Sequence, residues 1–203
     1  MASAPESRLR SGLIWSVVAF AIIVPILPAA WSPLLEWRQP VYIFASFAGI
    51  TALALMFAQP LLAAGYLPGL GSQTSRRIHR LTGLLLVVLV LAHVGGLWIT
   101  SPPDVVDALL FTSPTPFSIW GVLAMWALFA AALTVVLRRR LRISPRTTRR
   151  VHTGFILVTV AGSIAHTLLI VGTMETVTKI ILCVLVAAVT AKVIHGRWIS
   201  LRG

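Results

Sequence analysis

IHRLTGLLLVVLVLAHVGGLWIT, residues 78–100, is the stretch that decides the fold. Beyond Arg80 it runs without a charge for about 20 residues, the length at which a helix crosses a hydrocarbon core of about 30 Å. It also carries His79 and His93, and polar residues inside a spanning helix are costly enough to be functional candidates by default. Five further stretches read the same way: 12–30, 41–64, 117–137, 151–172 and 176–195. Hydrophobic residues make up 58% of the chain, charged residues only 11%, and the mean hydropathy is +0.93, values outside the range of soluble domains. The longest polar interval, Arg138 to Arg150, leaves no room for a soluble catalytic domain. The expected fold is an all-α polytopic membrane bundle, a single domain of six transmembrane helices.

A net charge of +12 would suggest nucleic acid in a soluble protein, but the distribution of the charges argues against such a partner. Arg8 and Arg10 precede the first span, Arg76, Arg77 and Arg80 enter the third, and seven arginines from Arg138 to Arg150 lie between the fourth and fifth. With Lys192, Arg197 and Arg202 at the end, these alternate segments hold 15 of the 17 basic residues. The intervening loops hold Arg38 and Lys179, together with four of the five acids: Glu36, Asp104, Asp107 and Glu175. The positive-inside rule then places both termini in the cytoplasm of a multi-pass cell-membrane protein, expected in a bacterial plasma membrane. Arg8 and Arg10 before an apolar run ending in Pro28-Ala29-Ala30 also fit a cleavable signal peptide. The retained first helix is the favoured reading, and cleavage would leave five spans.

Four histidines form a pattern. His79 and His93 on the third span are fourteen residues apart, and so are His152 and His166 on the fifth. Fourteen residues turn a helix to within about 40° of four full turns and rise roughly 21 Å, so each pair shares one face and fits within the bilayer. The two spans run in the same direction, which sets His79 level with His152 near the cytoplasm and His93 level with His166 toward the outside. Neutral imidazole is a natural axial ligand for haem iron in apolar surroundings. The expectation is two b-type haems, the inner iron between His79 and His152 and the outer between His93 and His166. Gly83, Leu86, Val90, Gly154, Ile156, Thr159, Gly162 and Ser163 would flank the macrocycles. Arg76, Arg77, Arg80, Arg149 and Arg150 are the propionate contacts expected at the inner haem; Trp98, Thr100 and water are those expected at the outer one.

Other features read blandly. Cys183 is the only cysteine, which excludes an internal disulfide, a cysteine-ligated cluster and covalent haem attachment. Gly69-Leu70-Gly71 lacks the third glycine and the strand of a nucleotide-binding turn. His195 has no spaced partner and reads as interfacial, the Arg138–Arg150 run reads as a topology signal with docking of a cytoplasmic reductase as the alternative, and Pro25, Pro28 and Gln59-Pro60 read as kinks or helix ends.

At Arg76-Arg77-Ile78-His79-Arg80-Leu81-Thr82-Gly83 and Arg149-Arg150-Val151-His152-Thr153-Gly154 the sequence resembles the ferric reductase-like transmembrane family. That family includes ferric reductases, NADPH oxidases and the haem-binding subunit of the bacterial methionine sulfoxide reductase system. The resemblance implies two haems between the third and fifth spans, with His79, His93, His152 and His166 as ligands. It also marks a departure: ferric reductases and NADPH oxidases append a domain binding FAD and NADPH, whereas this sequence stops at Gly203, like the stand-alone six-helix members. The expected role is therefore an oxidoreductase component in contact with membrane lipid, with a separate flavoprotein or quinol as donor and an extracytoplasmic acceptor. With both axial positions of each iron filled, the expected chemistry is electron relay rather than substrate binding at the metal. The alternatives are a di-haem cytochrome b subunit of a quinol-oxidising complex, whose Pro-Glu-type quinol motif is missing here, and a non-redox transporter or structural membrane protein.

Overall fold

In the computed structural model, which describes residues 4–199, helices account for the fold and no strand occurs among the described residues. The first span is broken at its proline: α1 (Ala4–Ile23) stops before Val24-Pro25 and a short α2 (Ile26–Ala29) completes the crossing. A 3-10 turn (Pro33–Leu35) leads to α3 (Pro40–Ala64), followed by α4 (Ser72–Thr100), α5 (Pro102–Leu109), α6 (Ser118–Leu137), α7 (Pro145–Leu169) and α8 (Thr176–Ile199). Six of these stretches are long and apolar enough to cross a membrane, with α1 and α2 together supplying one. The chain is a multi-pass membrane protein.

Both histidine-bearing helices begin well before their apolar runs. At α7 the reason is Ser144, whose Oγ accepts from the Thr147 N–H at 3.1 Å, with Pro145 at the first helical position where its missing N–H costs nothing. At α4 the first turn is tied to the end of α3, since buried Ser75 donates to the Leu62 carbonyl at 2.7 Å. Gly65, with φ of 69°, closes α3 in the left-handed conformation that a side chain would resist. Pro60 does not end α3, which continues to Ala64.

Between helices in a bilayer the driving forces are close packing and hydrogen bonds rather than release of water, so small residues mark the seams. Such seams make two hairpins, α3–α4 and α6–α7. A Cβ on Gly96 of α4 would stand 2.7 Å from Ala45 Cβ, and one on Gly162 of α7 would stand 2.8 Å from the Trp120 carbonyl oxygen. Neighbouring helices then close a ring in the order α3, α4, α6, α7, α8 and back to α3, with α1 packed outside against α3. Half of the most apolar window of α3 is buried but only 11% of that of α4, so α3 is the central strut and α4 stands largely between lipid and the interior of the ring. No extensive contact joins α4 to α7 among the described residues. The two helices that carry the histidine pairs are thus held apart, each by its own hairpin partner.

Candidate functional site

Each of the four histidines is half-buried and turns Nδ1 to a backbone carbonyl of its hairpin partner. His79 reaches Gln59 O on α3 at 3.2 Å and His93 reaches Ala45 O at 2.8 Å. On the other hairpin His152 reaches Ala131 O on α6 at 3.1 Å and His166 reaches Phe117 O at 3.0 Å. A carbonyl oxygen only accepts, so Nδ1 must carry the proton. In the neutral ring the acceptor lone pair is then on Nε2, the tautomer in which histidines ligate metals through that nitrogen. The acceptors repeat the histidine spacing: Ala45 and Gln59 are fourteen residues apart, as are Phe117 and Ala131, because antiparallel partners must match step for step.

Room for two of these rings is made by glycines that the sequence reading passed over. Gly49 lies one turn after Ala45, and a Cβ there would meet His93 Nδ1 at 2.8 Å; Gly121 lies one turn after Phe117, and a Cβ there would meet His166 Nδ1 at 2.7 Å. The corresponding positions after Gln59 and Ala131 are Ala63 and Val135, and there the ring-to-carbonyl distances are longer. The glycines could have been found from an internal repeat. Ala45, Gly49 and Gln59 recur 72 positions on as Phe117, Gly121 and Ala131, and His79 and His93 recur 73 positions on as His152 and His166.

His93 and His166 come together across the ring, with centroids 6.5 Å apart and planes at 80°. A metal–imidazole bond is about 2.0–2.1 Å long, so two rings bound on opposite sides of one ion have centroids roughly 6 Å apart. Around them lies a cavity of about 780 Å³, within the size range of cofactor pockets. Its walls include Leu86, Val90, Thr159 and Ser163, as well as Met56 and Met125. One end is roofed by α5, which contributes Asp104, Val105 and Asp107. His79 and His152 are not among its walls. Among the described residues no three His, Cys, Asp or Glu side chains gather as a metal cluster would require. Apolar walls, a slot between α4 and α7, and the imidazoles of His93 and His166 with their Nδ1–H groups held by carbonyls fit a haem.

A family profile described as "Ferric reductase like transmembrane component" matches residues 48–163, more than half of the chain. The chain belongs to the ferric reductase-like transmembrane family. The matched segment takes in His79, His93 and His152 and ends three residues before His166. No curated protein and no solved structure matches the chain. Membership in the ferric reductase-like family points to electron transfer across the membrane, to haem as cofactor and to partner redox components.

The remaining residues singled out in the sequence are spread more widely. Arg76, Arg77, Arg80, Arg149 and Arg150 are all exposed near the starts of α4 and α7, where Arg76 reaches Ser72 Oγ at 3.5 Å and Arg80 Nε donates to the Arg76 carbonyl at 3.3 Å. Thr100 lines the cavity; Trp98 does not. Gly162 serves the α6 seam instead of facing α4, and a Cβ on Gly154 would meet nothing within 4 Å. His195 is exposed, Cys183 is buried as a free thiol, and Arg202 lies outside the described residues.

Proposed function

We propose that this ferric reductase-like chain is a transmembrane electron relay holding two b-type haems, one through His79 and His152 and one through His93 and His166. The observation that carries the reading is the common orientation of the four imidazoles, each with Nδ1 spent on a partner-helix carbonyl. Haem, when bound, supplies the one-electron redox change. The chain's residues do the rest. Backbone carbonyls at 45, 59, 117 and 131 fix each ring's tautomer and rotation, Gly49 and Gly121 let two rings reach them, and the apolar walls keep water from the His93–His166 site. A haem iron held by His79 and His152, or by His93 and His166, would have no position left for substrate, which would favour outer-sphere transfer.

The arginine-rich ends of α4 and α7 are proposed to face the cytoplasm, with both termini on that side in a bacterial plasma membrane. Arg76, Arg77, Arg80, Arg149 and Arg150 then surround the His79–His152 level, where they are suited to carboxylates such as propionates. A separate flavoprotein or a quinol would deliver electrons there, and the acceptor would lie on the opposite side. The test is electron transfer through sealed proteoliposomes loaded with ferricyanide and given an impermeant external reductant. The expected outcome is internal reduction that depends on the protein and is lost in His93→Ala. Reduction at the same rate in the variant would overturn the relay.

A further inference from the structure

We infer that Lys179 is a carboxylate-binding residue of the central cavity and that the carboxylate it takes is a propionate of the haem at His93 and His166. The inference rests on the reading above. Lys179 belongs to the first turn of α8, in a loop region that carries the chain's charge lightly, yet its side chain is folded inward: it is 8% exposed and lines the same cavity as the two imidazoles. A buried ammonium is costly unless it is both hydrogen-bonded and paired with an anion. Among the described residues only the first condition is met. Among the described residues the ammonium donates to one acceptor, the Ile170 carbonyl at 3.0 Å, which uses one of its three N–H groups.

The carboxylates that might have paired with it are committed elsewhere. Glu175, one turn before Lys179 and the natural helical partner, is fully exposed, and its two oxygens accept from the Val177 N–H at 2.9 Å and the Thr178 N–H at 2.8 Å. At the α5 end of the cavity Asp104 accepts from Ser101 Oγ, and Asp107 accepts from Thr112 Oγ1; both are exposed. The other cation of the cavity, Arg38, is exposed and stacked over the Tyr42 ring, 4.7 Å from its centroid. Among the described residues Lys179 is therefore an inward-facing cation with no carboxylate partner. Its position suits an anion carried by the bound group: Ile170, to which it is tied, lies one helical turn beyond His166, a rise of about 6 Å.

The rival role for Lys179 is to cap the C-terminal end of α7 through Ile170 and nothing more. Redox titration separates the two. Full-length wild type, Lys179→Met and Lys179→Arg are prepared in haem-depleted membranes and reconstituted with protohaem or with its dimethyl ester, whose propionates are neutral. Removing a positive charge near an iron favours the more positive ferric state. Lys179→Met is therefore expected to lower the midpoint potential of one b-type component and leave the other unchanged, and Lys179→Arg to restore it. Haem retention reads the ion pair itself: Lys179→Met is expected to hold protohaem more weakly than wild type, and the two proteins to hold the dimethyl ester, which offers no carboxylate, equally well.

Unchanged potentials in Lys179→Met, with a loss only of thermal stability in the haem-free protein, would leave capping as its role and overturn the inference while the relay stands. A loss of retention in Lys179→Met that is as large for the ester as for protohaem would show that the lysine holds no propionate and overturn it as well. Failure of wild type to take up any haem would overturn the relay itself.

Discussion

The two histidine levels are built on one plan but finished differently. At the His93–His166 level both rings sit over glycine, approach their carbonyls to 2.8 and 3.0 Å, and face a cavity roofed by α5. At the His79–His152 level the matching positions are Ala63 and Val135, the carbonyls lie at 3.2 and 3.1 Å, and arginines crowd the helix starts. The difference teaches that one site is shaped by the removal of side chains and the other by the addition of charge. A ring wedged over glycine has little room to shift.

Replacing either ligand of one level by alanine would break the comparison most severely. His93→Ala or His166→Ala is expected to remove about half of the haem absorbance, and His79→Ala or His152→Ala the other half with a different midpoint potential, read from reduced-minus-oxidised spectra. Loss of all haem from any single replacement would show that the levels are not independent. Next in size is Gly121→Ala. In an open helix the change from glycine would be favourable by about 1 kcal/mol, but here the added methyl would collide with His166 Nδ1. Overpacking of this kind costs about 1–3 kcal/mol, and haem content at that level should fall. Gly49→Ala should behave alike, whereas Gly95→Ala, at an exposed position where a Cβ meets open space, should keep both haems. Equal effects at Gly121 and Gly95 would remove the distinction drawn between the levels.

A smaller effect is expected from Ser75→Ala, which strips the bond to the Leu62 carbonyl that seats α4 at the His79 end. A loss of about 1–3 kcal/mol is expected for an unsatisfied buried group, read by thermal unfolding in detergent, with the His79–His152 spectrum perturbed before the other. The smallest is Glu175→Gln. The Val177 and Thr178 N–H groups hold this exposed carboxyl below its ordinary value of 4.5, so its stabilising contribution is full above that pH and fades as the pH falls through the lowered value. The variant should unfold slightly earlier than wild type near neutrality and together with it in acid; a difference that grew in acid would reverse the sign.

Much of this was legible in the sequence. Six apolar runs and two pairs of histidines at the same spacing are patterns that hydrocarbon enforces, since a polar side chain there must have a purpose and a helix must fit the bilayer. The carbonyl acceptors were not legible, because every residue has one and only packing chooses among them. Gly49 and Gly121 were hidden for a related reason: their role is to be absent beneath a ring on another helix, and the 72-residue repeat that exposes them is diluted by the apolar residues around it. Lys179 was counted as a loop charge, since nothing in its sequence neighbourhood announces that Glu175 turns outward to cap α8 while the lysine turns in. The early starts of α4 and α7 escaped because their first turns are polar and are held by Ser75 and Ser144, not by hydrophobic pattern.

The central claim, two haems each held by two histidines, is tested most directly by the haem-to-chain ratio of the purified protein, measured as the pyridine haemochrome and joined to a low-temperature reduced spectrum. The account predicts two haems per chain with spectra of six-coordinate b-type iron. A chain that is folded, carries all four histidines and binds no haem would contradict it.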